Sequence, residues 1–249
     1  MYRWCLAVLL LLDAPSLVAM ELFEAPTHLR FSASEVSEAA HDLQPTAEAA
    51  ISRCDARCAR VQRLWARLLP AAREQPGQRG AALRLTLVAD AGSAYAHADG
   101  NVVFPLTLID TLALNDEEIA FILAHEMIHV LLEHEREVLT AADGMLRPDV
   151  RRTAADIYGT LQFDLGLVLK TSFLMQAAEL EADMFGLQLA ALAGFDPDLQ
   201  ASALDKLLQS RSSQGAMMPT HPSDADRLQR IRELLPIARA IHRERPRMH

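Results

Sequence analysis

Three residues within little more than one helical turn could act together: His125, Glu126 and His129, in the stretch HEMIH. On a helix, positions four apart share a face, so both imidazoles can close on one metal ion with Glu126 beside it. Zinc-assisted hydrolysis needs that set. The ion takes three protein ligands and keeps one position open, and a carboxylate must take a proton from water as it attacks a carbonyl. With nine histidines in 249 residues, the spacing also arises by chance, as a buried helix carrying two histidines and a glutamate. A third ligand decides between these readings.

That ligand must be Asp, Glu or His on an element able to pack against the first helix. The stretch ELEAD, at 179–183, begins 50 residues after His129 in an otherwise apolar helical segment. Glu179 and Asp183 share a face there, and Glu181 points elsewhere. Two carboxylates facing a core need a partner, because an unpaired buried charge is very costly. A metal with its histidines supplies one, with Glu179 as third ligand and Asp183 accepting the free N–H of a ligating histidine. The alternative is an exposed acidic face paired with arginines.

Periodicity outlines the elements that must position these residues. Ser32 to Arg73 has helical spacing, with a capping-box pattern at Ser32 and Glu35, and reads as two helices broken near Pro45. EQPGQRG, at 74–80, is a loop. LRLTLVAD, SAYAHADGN and VVFPLTLI then read as three extended pieces, so a small sheet precedes the metal helix. Asn115 and Glu118 form a second capping-box pattern where that helix starts, apolar on entry and charged only after Leu132. The mixed stretch 136–152 is expected to loop away. The apolar run 157–175 is interrupted by Gln162, Asp164 and Lys170, which favours a buried helix or a membrane-facing flap over a span. The ELEAD helix closes at Gly194, with Asp196 and Pro197 opening the next, and a last helix covers about 223–243. The fold class is α+β, mostly helical.

Composition narrows the function. A net charge of −9 with dispersed basic residues excludes nucleic acid as a partner. Residues 1–20 combine Arg3 with an apolar run from Cys5 to Leu12 that Asp13 and Pro15 end. That pattern reads as a signal peptide more than an N-terminal anchor, because a spanning helix needs about 20 apolar residues. Residues 21–249 are expected to form one domain, with N-terminal helices at 32–73 and a catalytic core at 83–235. Export implies an oxidising compartment, where Cys54 and Cys58 either pair as a local staple or stay as two small hydrophobes.

HEMIH, ELEAD and THPSDADR, in that order, resemble the H-E-x-x-H, E-x-x-A-D and T/S-H-P-x-x-x-x-R motifs of the gluzincin metallopeptidases that include HtpX, Oma, BepA and the CAAX prenyl protease. AGFDP after the second motif is similar too, and the likeness covers roughly 83–235. The resemblance implies a zincin-like fold, one zinc ion per chain, and Glu179 rather than Glu181 as ligand. It places the chain with the short periplasmic branch that lacks tetratricopeptide repeats. Members often carry Asn-Ala-Phe-Ala before the metal helix, where this chain has Ser93 in SAYA. His134 recurs in the family, but it lies too far along the helix to share the metal and reads as structural. The loop bearing His221 lies over the active site in the family. His221 there could bind substrate, stabilise an oxyanion or fill the open metal position, while a Thr-His-Pro turn that merely starts a helix fits the residues equally.

The expected activity is that of a secreted zinc metalloendopeptidase acting on misfolded or unassembled cell-envelope proteins, periplasmic or secreted, with peripheral membrane contact through 157–175. Glu126 is its expected base, with His221 as a further catalytic candidate. Tyr95, Tyr158, His221 and the arginines are unranked as second oxyanion donor, and the strand at 101–106 is expected to pair with substrate. Two rivals stand beside this reading. One is a self-occluded protein of the same fold that binds clients without cutting, and the other is a structural helical protein with fortuitous motifs.

Overall fold

The reciprocal cap expected at Asn115 fixes where the site helix begins. In the computed structural model, the Glu118 N–H donates to the Asn115 side chain, and the Asn115 N–H donates back to the Glu118 carboxylate. The structure describes residues 28–43, 51, 53–75, 82–89, 92–147, 149–212 and 223–245. Residues 1–20, Pro45, most of the 74–80 loop and His221 lie outside them.

The described elements are α1 (Ala33–Leu43), α2 (Ala56–Arg73), β1 (Arg84–Val88), β2 (Tyr95–Ala96), β3 (Asn101–Pro105), α3 (Thr107–Thr111), α4 (Asp116–Leu131), α5 (His134–Met145), α6 (Ala154–Phe163), α7 (Leu165–Leu192), α8 (Pro197–Ser212) and α9 (Asp224–Glu244). The chain is α+β, mostly helical with a small three-stranded sheet ahead of α4, as expected.

The larger of two cores forms around α4. Ile119, Ala120, Leu123, Ala124, Met127 and Ile128 have no exposed surface, so most of this helix is apolar and buried. The larger cluster joins it to α2, the sheet, the second half of α7, α8 and α9. A second cluster, with Phe31, Val36, Leu139, Ile157 and Leu167, ties α1 to α5, α6 and the start of α7.

The sheet runs β1-β3-β2, with β1 parallel and β2 antiparallel to β3. The expectation that the strand at 101–106 offers its edge to substrate is therefore wrong: β3 is the central strand, with both sides engaged. Within this sheet the free edge beside the site belongs to β2.

Two helical expectations also change. The stretch 136–152 does not loop away, because residues 134–145 form α5. Leu131 ends α4, and Glu133 adopts a left-handed backbone (φ 57, ψ 33) that turns the chain before α5 starts. The run 157–175 is neither one buried helix nor a span. Asp164 caps the N-terminus of α7, accepting from the Leu167 N–H, and splits the run into α6 and α7. Phe163, Leu165, Leu169 and Phe173 face outward at that corner. Among the described residues no helix is long and apolar enough to cross a membrane.

Cys54 and Cys58 form a disulfide, with Cα atoms 5.2 Å apart. Cys54 precedes the N-cap Asp55, so the bridge ties the entering chain to the first turn of α2. At the other end of the core, α7 closes in a full Schellman motif. The Phe195 N–H reaches the Ala190 carbonyl, the Gly194 N–H reaches Ala191, and Gly194 supplies the left-handed residue (φ +93).

One glycine sets how α7 crosses α4. A Cβ on Gly186 would stand 3.0 Å from both the Cα and the backbone N of His125, atoms of a rigid helix that cannot swing aside. Gly186 therefore permits the backbone approach that brings Glu179 and Asp183 over the histidines. Substituting Gly186→Ala gains about 1 kcal/mol of helix propensity but overpacks a buried crossing, at a cost of about 1–3 kcal/mol. The expected outcome is a lower Tm for the metal-free chain in thermal unfolding. An equal or higher Tm would show that the two helices can separate freely.

Candidate metal centre

On α4, His125 and His129 are one turn apart, and their Nε2 atoms lie 3.1 Å from each other. Glu179, from α7, approaches both: its Oε1 is 3.6 Å from His129 Nε2 and its Oε2 is 3.9 Å from His125 Nε2. These three residues form a group able to hold a metal ion. With metal–ligand bonds of about 2.0–2.1 Å, donors at tetrahedral corners stand about 3.3 Å apart. The observed separations bracket that edge, and two imidazoles with one carboxylate suit zinc better than calcium or magnesium, which prefer all-oxygen shells.

Each histidine is held from behind. His125 Nδ1 lies 3.1 Å from Asp183 Oδ1, the contact expected of Asp183. Asp183 is fully buried and takes two further bonds, both 2.7 Å, from the Nε and Nη2 of Arg227 on α9. Arg227 is itself 4% exposed and also sets Nη1 3.0 Å from Glu179 Oε2. Arg227 is a site residue to which residue type and spacing alone assign no role. The available signal was the terminal R of THPSDADR.

His129 is backed differently. His134, expected to lie too far along a straight helix, is brought back by the turn at Glu133, and its Nδ1 lies 3.0 Å from His129 Nδ1. Its other nitrogen is 3.3 Å from Glu181, the carboxylate of ELEAD that points away from the metal group.

Charge and burial treat the two histidines unequally. Burial alone would lower the His125 pKa, but the hydrogen bond and charge of Asp183, with Glu126 and Glu179 beyond it, raise it. Burial, reinforced by His125 and His134, holds His129 well below its ordinary value, which favours the neutral ring a metal requires.

Glu126, 9% exposed, shares the walls of a cleft of ≈ 450 Å³ with His125, His129 and Glu179. The opposite wall is the open side of β2 and its extension, Ala94 to Ala98. Ser93 lines a smaller cavity on the Arg227 side of His125. The two tyrosines singled out as oxyanion donors are no longer equivalent. The Tyr158 hydroxyl is hydrogen-bonded to Glu135, whereas the Tyr95 hydroxyl is buried with no hydrogen-bond partner among the described residues.

The sequence profile described as Peptidase family M48 matches residues 55–235. The chain is 31% identical over 147 residues to metalloprotease LoiP of Escherichia coli, covering 57% of this chain and 58% of that protein. It is 30% identical over 146 residues to the mitochondrial metalloendopeptidase OMA1 of Schizosaccharomyces pombe, covering 56% and 42%. It is 34% identical over 154 residues to the beta-barrel assembly-enhancing protease of Yersinia pestis, covering 55% and 31%. The chain thus spans between about a third and three fifths of the length of these relatives.

Glu135 carries a titration that can be measured. Burial pushes its carboxyl up from 4.5 to about 7, with Asp99 adding to the rise and a hydrogen bond from the Ala98 N–H opposing it. The folded state therefore keeps a proton that the unfolded chain releases, so this group's contribution is fullest below 4.5 and declines until about 7. Glutamine does not titrate, so Glu135→Gln should gain on the parent as pH rises through that window. The full shift corresponds to about 3 kcal/mol, and partial exposure leaves about 1–2 kcal/mol. Denaturant unfolding of both proteins across the window checks this, and a constant difference would contradict it.

Proposed function

The chain belongs to peptidase family M48, and from that premise we propose that it is a zinc metalloendopeptidase that cuts misfolded or unassembled proteins of the cell envelope. The observation that carries this reading is the convergence of His125, His129 and Glu179 beside Glu126 on the wall of an open cleft. Zinc bound by those three residues would supply a Lewis acid that makes water a nucleophile near neutral pH and accepts charge building on a carbonyl oxygen.

The protein's own groups do the rest. Glu126 takes a proton from the attacking water and delivers it to the leaving amine, an exchange its buried position at the cleft wall suits. Asp183 and Arg227 hold His125 in place. Substrate enters as an extended chain along β2, where main-chain hydrogen bonds give affinity with little demand on side chains. Such tolerance suits unfolded clients of mixed sequence. Tyr95, whose hydroxyl is buried at this edge without a partner among the described residues, is the second donor to the oxyanion.

Two observations support an envelope location. The Cys54–Cys58 disulfide suits an oxidising compartment. The Yersinia relative is named for β-barrel assembly, and closed barrels of that kind belong to outer membranes.

Zinc content and casein cleavage of the full chain and two variants test the reading. Glu126→Gln should keep about one zinc per chain and lose about 10²–10⁴-fold in kcat. Cleavage retained by that variant would remove Glu126 as the base. Zinc bound by a parent chain that cuts nothing would favour client binding over hydrolysis. Tyr95→Phe should keep its zinc and lose about 10²–10³-fold in kcat with little change in KM, and an unchanged kcat would remove Tyr95 as donor.

A further inference from the structure

Glu181 and His134 are left over by the motif chemistry, yet they touch each other, and one of them touches a metal-binding histidine. On a continuous helix a residue five positions beyond His129 would lie about 7.5 Å farther along the axis and well round the cylinder. The left-handed backbone at Glu133 abolishes that separation. A non-glycine residue in that region is uncommon, and such conformations gather at functional sites. Here the turn stacks the His134 ring edge-on against His129, with centroids 5.0 Å apart, and buries it to 4% exposure.

The two nitrogens that meet are both Nδ1, 3.0 Å apart, so one must donate and the other accept. His129 presents Nε2 to His125 and Glu179, which is the side a metal would occupy. A ring that ligates through Nε2 carries its proton on Nδ1. His129 must then donate, His134 must accept with a bare Nδ1, and the His134 proton must sit on Nε2. That nitrogen faces the Glu181 carboxylate at 3.3 Å, the acceptor this tautomer requires. The chain of bonds runs in one direction, from the metal group through His129 and His134 to Glu181, which is 47% exposed.

We propose that His134 is a positioning residue for His129, locking its tautomer and ring angle, with Glu181 as the outer anchor of that lock. The inference rests on the reading that His125, His129 and Glu179 hold zinc. It gives the two histidine ligands unlike supports: a buried carboxylate held by an arginine for His125, and a neutral imidazole anchored near the surface for His129.

Zinc affinity of the full chain, by competition with a chromophoric chelator, tests it without reference to activity. His134→Phe fills the space but leaves the His129 N–H without an acceptor, and should weaken zinc binding about 10–100-fold. His134→Asn puts an amide oxygen near the place of Nδ1 and should bind within about threefold of the parent, since the acceptor is what matters. A merely structural role would lower the metal-free Tm of both variants and leave zinc affinity alone. Equal affinity in parent and Phe variant, or equal loss in the Phe and Asn variants, would overturn the proposal. If the Phe variant does not fold, nitrogen NMR of the zinc-loaded parent decides. A proton on His134 Nε2 with Nδ1 bare is expected, and the opposite tautomer would refute the lock. A parent chain that takes up no zinc would instead refute the metal reading beneath it.

Discussion

Asp183 has no exposed surface, and the whole site depends on how its charge is compensated. It sits between His125 Nδ1 and two nitrogens of Arg227, which is almost as deeply buried. Such a pair contributes little net stability when intact and costs heavily when halved, so its presence points to positioning rather than to strength. Arg227 also faces Glu179, which makes it the counter-charge for two carboxylates. Two carboxylates thus share one guanidinium, and the negative charge left over is what a divalent cation would neutralise. The same constraint dictates topology: α9 must return across α7, because the arginine is needed where the two carboxylates face α4.

Around that ion pair the fold works as a set of distance constraints. Gly186 lets α7 approach the backbone of α4 at His125, which carries Glu179 to the imidazoles. The Asn115 cap fixes the start of α4, and its Glu118 is held in turn by Lys206 and Ser202 of α8. The turn at Glu133 ends α4 just past the second histidine and lays α5 along the cleft. The sheet, though small, completes the opposite wall with the free edge of β2. Four helices, α4, α5, α7 and α9, thus deliver two histidines, a facing carboxylate with its charge partner, and the outer support of one ring.

Much of this was legible from residue types and spacing. Positions four apart on a helix must share a face, so His125 with His129, and Glu179 with Asp183, could be paired before any fold was known. The caps at Ser32 and Asn115 and the Gly194 stop were readable because each uses local chemistry. The failures share a different cause. Nothing local marks Glu133 as left-handed, since glutamate ordinarily continues a helix, and so α5 and the return of His134 were missed. The role of Gly186 depends on a neighbour some sixty residues away. Strand order cannot be read from strand content, which is why β3 was mistaken for the edge. Arg227 lay in a motif already quoted, but its partner is fixed only when α9 crosses α7. Asp164 was noticed as an interruption of an apolar run and proved to be a helix cap.

The central claim is that two imidazoles and one carboxylate hold a single zinc ion between α4 and α7. X-ray absorption at the zinc edge of the full chain, with metal content measured on the same sample, tests it most directly. One zinc per chain is expected, with two imidazole nitrogens and at least one oxygen at about 2.0–2.2 Å and no sulfur in the shell. A sulfur contribution, a six-coordinate oxygen shell or the absence of bound metal would contradict it.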